Sequence, residues 1–279
     1  MEFPVKLDLT ESANQLVGDV AHPIAKSVGE TLNDLFFLAT GGINLAADKK
    51  RIKTALNLEL FERNCRAEID SIPEEKLVEP DTQKVLNAID DAKFCVDHEE
   101  LRVMFEKLVA SSFSSDTASY VHPSFSRMIR SFSVLDAKII SLFTSHQKSF
   151  PIVEYRVFMN GGGYLVALSN VFLPQVDNAS FQDKSSSLLS LSAQGLLKLS
   201  YSEFFSLPGS YDPFLETDYY KSLAAETERF EDLKQLLPSE AQKLNIKKID
   251  IGKGRADLTD LGRHFLISCG FNIKKSKIF

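Results

Sequence analysis

Residues 122–143 constrain this chain most, because they read as helix, short break, helix and divide two textures. Pro123 suits the first turn of a helix, where its missing N–H costs little. Phe125, Met128, Ile129 and Phe132 then recur at i, i+3, i+4 and i+7, one apolar stripe. Ser133 is placed to cap a second helix, and Asp136 takes the acidic position of a capping box. Leu135, Ile139, Leu142 and Phe143 form the second stripe. The pattern before this hinge is helical, and the pattern after it is mixed.

Upstream, a first helix is expected over 8–21, broken at His22-Pro23 because the residue before proline disfavours helix. Ile24, Val28, Leu32, Leu35 and Phe36 mark a second. Residues 51–70 follow with Ile52, Ala55, Leu56, Leu60 and Ala67 as a face. Residues 72–80, with two prolines, read as an extended strap. Helices are expected again over 81–96 (Val85, Leu86, Ile89, Phe94) and 98–110 (Leu101, Met104, Phe105, Leu108, Val109). Short connections between such helices are those of a bundle.

Downstream, residues 150–158 are rich in β-branched and aromatic side chains, and 160–163 supply a turn back into a strand at 164–168. A helix over 183–198 is expected to start at Asp183 and to exit into a strand near 195–201. A charged helical insert covers about 214–237, and 246–251, 252–255 and 256–258 read as strand, turn, strand. Thr259 caps a closing helix over 260–269. The order implies a mainly α chain with a smaller α+β part. A helical array over 1–132 precedes a winged-helix-like domain over 133–279.

Several chemistries find no support in the residues. The five histidines include no pair at i,i+3 or i,i+4, so no metal site is expected. Cys65, Cys95 and Cys269 show no CxxC spacing and suit a reducing compartment. His122 fits a helix-start cap better than a catalytic base, because no nucleophile or acid stands beside it. Residues 161–163 lack phosphate-loop spacing, so a hairpin is expected there. No cofactor and no catalysis are expected.

Charge and apolar runs suggest contacts instead. Residues 1–150 hold 17 Lys and Arg against 23 Asp and Glu, and residues 151–279 hold 15 of each. Neither half binds nucleic acid by bulk charge. Lys247, Lys248, Lys253 and Arg255 are the candidate nucleic-acid contacts, the last two at the tip of the expected wing. The 183–198 helix is Ser- and Leu-rich, which favours a protein partner over DNA. The apolar segment 35–47, followed by a basic cluster at 49–53, is the candidate membrane element, through Phe36, Phe37, Lys49, Lys50 and Arg51. No apolar run reaches the roughly 20 residues of a spanning helix. The expected location is the cytoplasm, with peripheral contact at the inner membrane as the alternative.

The stretch from Leu101 through Phe105 to Phe113, then His122-Pro-Ser-Phe125, then 132–140, resembles the abortive-infection alpha (Abi-alpha) family. The strap at 72–80 and the closing 258–269 segment, with Thr259, Gly262, Phe265 and Cys269, are similar to that family's motifs as well. Asp136, beside Ala137, stands where the family more often carries Glu. The resemblance runs from about residue 20 to the end. It implies a bacterial or phage-borne protein that acts in phage resistance by abortive infection, and it brings no catalytic residues. His122, Pro123, Phe125, Asp136, Ala137, Thr259, Gly262 and Phe265 are thereby motif residues with expected structural roles. The partner is an unidentified macromolecule, a protein first and nucleic acid or a membrane surface second. The oligomeric state is left open.

Overall fold

A computed structural model of the chain describes residues 23–40, 49–144, 147–233 and 246–271, with side chains over 28–38, 53–144, 147–230 and 246–271. The features expected at 8–21, 41–47 and 234–245, and the lysines beyond 271, lie outside the described residues. Among the described residues are ten α-helices and one four-stranded antiparallel sheet, an α plus β architecture. The chain divides into two compact units, Met1–Arg130 with Ser268–Gly270, and Ser131–Ile267 with Phe271–Phe279.

The first unit contains α1 (Pro23–Thr40), α2 (Lys49–Asp70), α3 (Thr82–Ala92), α4 (Glu99–Ser111) and most of α5 (Phe125–Ser131). In it α1 packs on α3, α3 on α4, and α2 on α4. Val28, Leu32, Leu35 and Phe36 form the buried stripe of α1, and the Phe36 ring lies 5.6 Å from that of Phe61. The buried face of α2 is Leu58, Phe61, Cys65 and Ile69. This differs from the expected face, since Leu56 points outward. Both stripes have helical period, and the one holding the bulky Phe61 removes more apolar area from water. Helix α3 starts at Asp81, whose carboxylate accepts from the Gln83 and Lys84 N–H groups. It ends at Ala92, short of the expected 96, and Phe94 is exposed under the Arg130 guanidinium at 4.1 Å. Leu101, Met104, Phe105, Leu108 and Val109 of α4 are all buried, as their spacing requires. The 72–80 strap is tied down by Val78 N–H to Phe113 O (2.9 Å) and Ser115 N–H to Lys76 O (2.8 Å).

The second unit runs α6 (Val134–Ser141), β1 (Ser149–Met159), β2 (Tyr164–Val171), α7 (Phe181–Ala193), β3 (Leu197–Ser200), α8 (Asp212–Leu215), α9 (Asp218–Leu233), β4 (Ile246–Leu258) and α10 (Asp260–Ser268). The sheet order is β2-β1-β4-β3. One face carries an aromatic ladder in which the Phe150 ring meets those of Phe143 (4.9 Å) and Phe172 (5.3 Å). The other face holds Val153, Tyr155 and Val171 against Tyr211 and Phe214. Tyr155 Oη donates to Phe214 O at 2.8 Å and so ties α8 to the sheet. Helix α7 packs on α6, β2 and β3.

Three local expectations change. The helix expected from 183 begins at Phe181, with Ser180 as its cap and Asp183 as the reciprocal partner. The insert is two helices, because Thr217 caps the second by accepting from Tyr220 N–H at 3.2 Å. The expected turn at 252–255 is replaced by continuous strand. β1 offers β4 an unbroken partner from Ser149↔Asp257 to Phe158↔Lys248, so the chain has no reason to bend.

Candidate functional site

The motif residues of the first unit sit at the start of α5. His122 and Pro123 are exposed and Phe125 is buried. His122 Nδ1 accepts from Ser124 N–H (3.2 Å) and lies 2.7 Å from Ser124 Oγ, while its ring stands 5.7 Å from that of Phe125. The imidazole thus satisfies an N–H just before the helix, where donors lack intrahelical acceptors.

The motif residues of the second unit pin helices. Ser133 Oγ accepts from Asp136 N–H (3.1 Å), and Ser133 N–H donates to Asp136 Oδ2 (2.8 Å), closing the capping box that the sequence indicates. The other Asp136 oxygen accepts from Ser187 Oγ on α7, and both residues are buried. Ala137 is buried beside it. Thr259 Oγ1 accepts from Gly262 N–H (2.9 Å), and Thr259 N–H donates to Leu196 O (3.1 Å). Gly262 lies so close to that carbonyl that a Cβ would stand 2.2 Å from Leu196 O. Phe265 is buried with its ring 5.5 Å from that of Phe132.

The basic residues of β4 do not gather at a hairpin tip, because β4 is continuous strand where the wing was expected. Arg255 is bidentate to Asp257 (Nε to Oδ2 2.7 Å, Nη2 to Oδ1 2.5 Å), and Lys248 pairs with Asp250. Lys253 Nζ lies 5.5 Å from the centre of the Tyr211 ring. Lys247 and Lys248 line a cleft of about 510 Å³ between α9 and the start of β4, together with Tyr220, Thr227 and Glu228.

Among the candidate membrane residues, Phe36 is only 3% exposed and belongs to the core, whereas Phe37 and Leu38 are exposed at 75% and 68%. Phe36 therefore drops out as a surface contact, since its neighbour Phe37 is turned about 100° away from the buried stripe of the same helix. The side chains of Lys49, Lys50 and Arg51 lie outside those described. Among the described residues no helix is long and apolar enough to cross a membrane.

One cluster escaped sequence reasoning. Arg156 Nη2 pairs with Glu154 (2.7 Å), and the guanidinium sits 4.3 Å from the Tyr164 ring centre and 6.0 Å from that of Tyr201. Gly252 and Gly254 make room for it. A Cβ at Gly252 would meet the Arg156 guanidinium at 2.2 Å, and one at Gly254 would meet Ser200 O and the Tyr201 ring at 2.6 Å. Two glycines two apart in a strand clear one face of it. Tyr201 Oη donates to Asn170 Oδ1 (3.0 Å) and accepts from Asn170 N–H (2.9 Å), which helps hold Asn170 at a φ of 50°. Burial raises the Tyr201 phenol well above its ordinary range, so it stays protonated.

The nucleophile classes are quiet in chemical terms. Burial raises the thiols of Cys65, Cys95 and Cys269, and a protonated buried thiol is a poor nucleophile. Burial lowers the Lys184 ammonium, which donates to Pro174 O at 3.3 Å. Among the described residues no His, Cys, Asp or Glu group is placed to hold a metal ion.

Glu106 on α4 is the strained carboxylate. Burial raises it, against the opposing pull of the Asn64 amide (3.0 Å) and of Arg102 (3.4 Å). An acid raised in the folded state opposes folding once pH exceeds its folded value, and that penalty fades as pH falls toward the unfolded value. Glu106→Gln should remove this component. The wild-type minus variant difference in Tm should then fall as pH rises from the ordinary carboxylate range toward neutrality. A difference independent of pH would contradict the assignment.

The sequence model of the abortive infection alpha family matches residues 53–269, a shorter span than the resemblance implied at either end. No curated protein and no solved structure matches the chain.

Proposed function

Because the chain belongs to the abortive infection alpha family, we propose that it is a phage-defence protein that acts without catalysis, through contacts with another macromolecule. The family match over most of the chain carries this reading. Its non-catalytic part is supported by what the motif residues do: His122, Ser133, Asp136 and Thr259 spend their polar atoms on helix ends. We take the cytoplasm as the place of action.

The second unit is read as winged-helix-like. In support, α6 precedes β1, α7 precedes β3, and the adjacent strands β1-β4-β3 are all antiparallel. Here β2 is an added outer strand, and α8 and α9 lie between β3 and β4 where a winged helix carries a short wing. A protein partner is favoured over nucleic acid, since Lys248 and Arg255 are already paired with Asp250 and Asp257. A phosphate-reading strand would need those charges for the backbone.

The test is phage challenge of a host expressing the chain, at low and high multiplicity, following both lysis and survival. The expected outcome is a culture protected at low multiplicity whose infected cells die at high multiplicity. Survival of infected cells at high multiplicity would contradict abortive infection. A hydrolytic or transfer activity abolished by His122→Ala would contradict the non-catalytic reading.

A further inference from the structure

We propose that β2 pairs antiparallel with β2 of a second copy of this chain across a two-fold axis, joining two four-stranded sheets into one. β2 is an outer strand of the order β2-β1-β4-β3. Its hydrogen-bonding direction follows from the hairpin. Gly162 N–H donates to Met159 O (3.1 Å) and Met159 N–H to Gly163 O (3.2 Å), a type I turn closed by a glycine at positive φ. Met159 and Gly163 thus face each other through hydrogen bonds. By the alternation of an antiparallel ladder, the main-chain N–H and C=O of Tyr164 and Val166 then point away from β1, toward the open edge.

The side chains along this edge are apolar and uncovered. Tyr164, Leu165 and Val166 are exposed at 45%, 60% and 46%. Solvent-facing edges ordinarily carry lysine, proline, an inward charge or a bulge that blocks pairing. β2, Tyr-Leu-Val-Ala-Leu-Ser-Asn-Val, contains no charge and no proline, and its first bulge, at Ala167, falls past the exposed Tyr164–Val166 stretch.

A second copy suits this edge for reasons of charge and shape. A two-fold contact sets a strand against itself, so any charge on it would meet its own kind. A neutral strand escapes that cost. The nearest charge on the Val166 face is Arg156, its partner across the ladder, and Glu154 already neutralises it. With the axis at Leu165, the outward-pointing groups of Tyr164 bond those of Val166 in the other copy, within the stretch that precedes the bulge at Ala167. Tyr164 then stands opposite Val166 on both sides of the axis, large against smaller, as cross-strand packing favours.

The test is the solution mass of the full chain by sedimentation velocity over a wide micromolar range. Wild type should sediment as a dimer. Val166→Lys places an ammonium group on each side of the axis and should halve the mass while leaving the far-ultraviolet circular dichroism unchanged. Val166→Thr, still β-branched and neutral, should remain dimeric. Should Val166→Lys fail to fold, Leu165→Glu supplies the same test one residue away. A wild-type monomer at every concentration, alone or with an extended peptide bound at this edge, overturns the proposal. So does a dimer that persists in a folded Val166→Lys or Leu165→Glu chain.

Discussion

Gly262→Ala is expected to destabilise the second unit by about 3 kcal/mol, an unusually large effect for adding one methyl group. The new Cβ would lie 2.2 Å from Leu196 O, 2.7 Å from Leu258 Cδ1 and 3.1 Å from Leu196 C. Two of these atoms are backbone, and backbone cannot swing aside as a long side chain does. Leu196 O is also fixed chemically, because it accepts from Thr259 N–H at 3.1 Å. Relief therefore requires α10 to lift away from the α7–β3 junction, which stretches the Thr259 bonds to Leu196 and to Gly195 O. Each such bond contributes about 1 kcal/mol. Alanine's better helix propensity returns only about 1 kcal/mol at this first-turn position. For a unit of this size the drop in Tm should be on the order of 10 °C. Gly161→Ala is the matched control, since nothing lies within 4 Å of its added Cβ, and it should be close to neutral. Equal melting of the two variants would show that α10 has slack at Leu196.

The helix ends were legible in the sequence because their chemistry is local. Ser133 with Asp136, and Thr259 with the residues after it, lie within one turn of the groups they satisfy. The α4 stripe was legible for the same reason, as one period fits it. Ambiguity entered where two periodic readings competed, as in α2, where Leu56 and Phe61 each head a plausible face. It entered again where the deciding partner is remote. Gly252-Lys-Gly254 carries the composition of a turn, and only the side chains of Arg156 and Tyr201 make it a cleared strand face. Phe94 looked like core because aromatics usually are, yet Arg130 covers it from outside. The edge character of β2 was equally out of reach, since the sequence gives strands but not their order in a sheet.

Asp136→Ala should cost the second unit about 3 kcal/mol through two separate losses. The first is local: the Ser133 N–H loses its acceptor at 2.8 Å, and half of the capping box of α6 disappears. Loss of a cap costs about 1 kcal/mol. The second is tertiary. Ser187 on α7 donates to the other Asp136 oxygen, and both residues are buried, so the hydroxyl is stranded without that acceptor. A hydrogen bond to a charged group contributes about 1.5–3 kcal/mol, and a stranded buried donor costs in the same range. The two losses separate in a double-mutant cycle. Ser187→Ala removes the donor, so Asp136→Ala in that background should cost only the cap, and the coupling should be about 1–2 kcal/mol. Asp136→Asn should fall between, because an amide offers one acceptor oxygen where the carboxylate offers two. Strict additivity of Asp136→Ala and Ser187→Ala in urea denaturation would mean that the α6–α7 bond contributes nothing. The motif acid would then serve its own helix alone. Coupling of the expected size would make it the polar link through which the start of α6 holds α7 against the sheet.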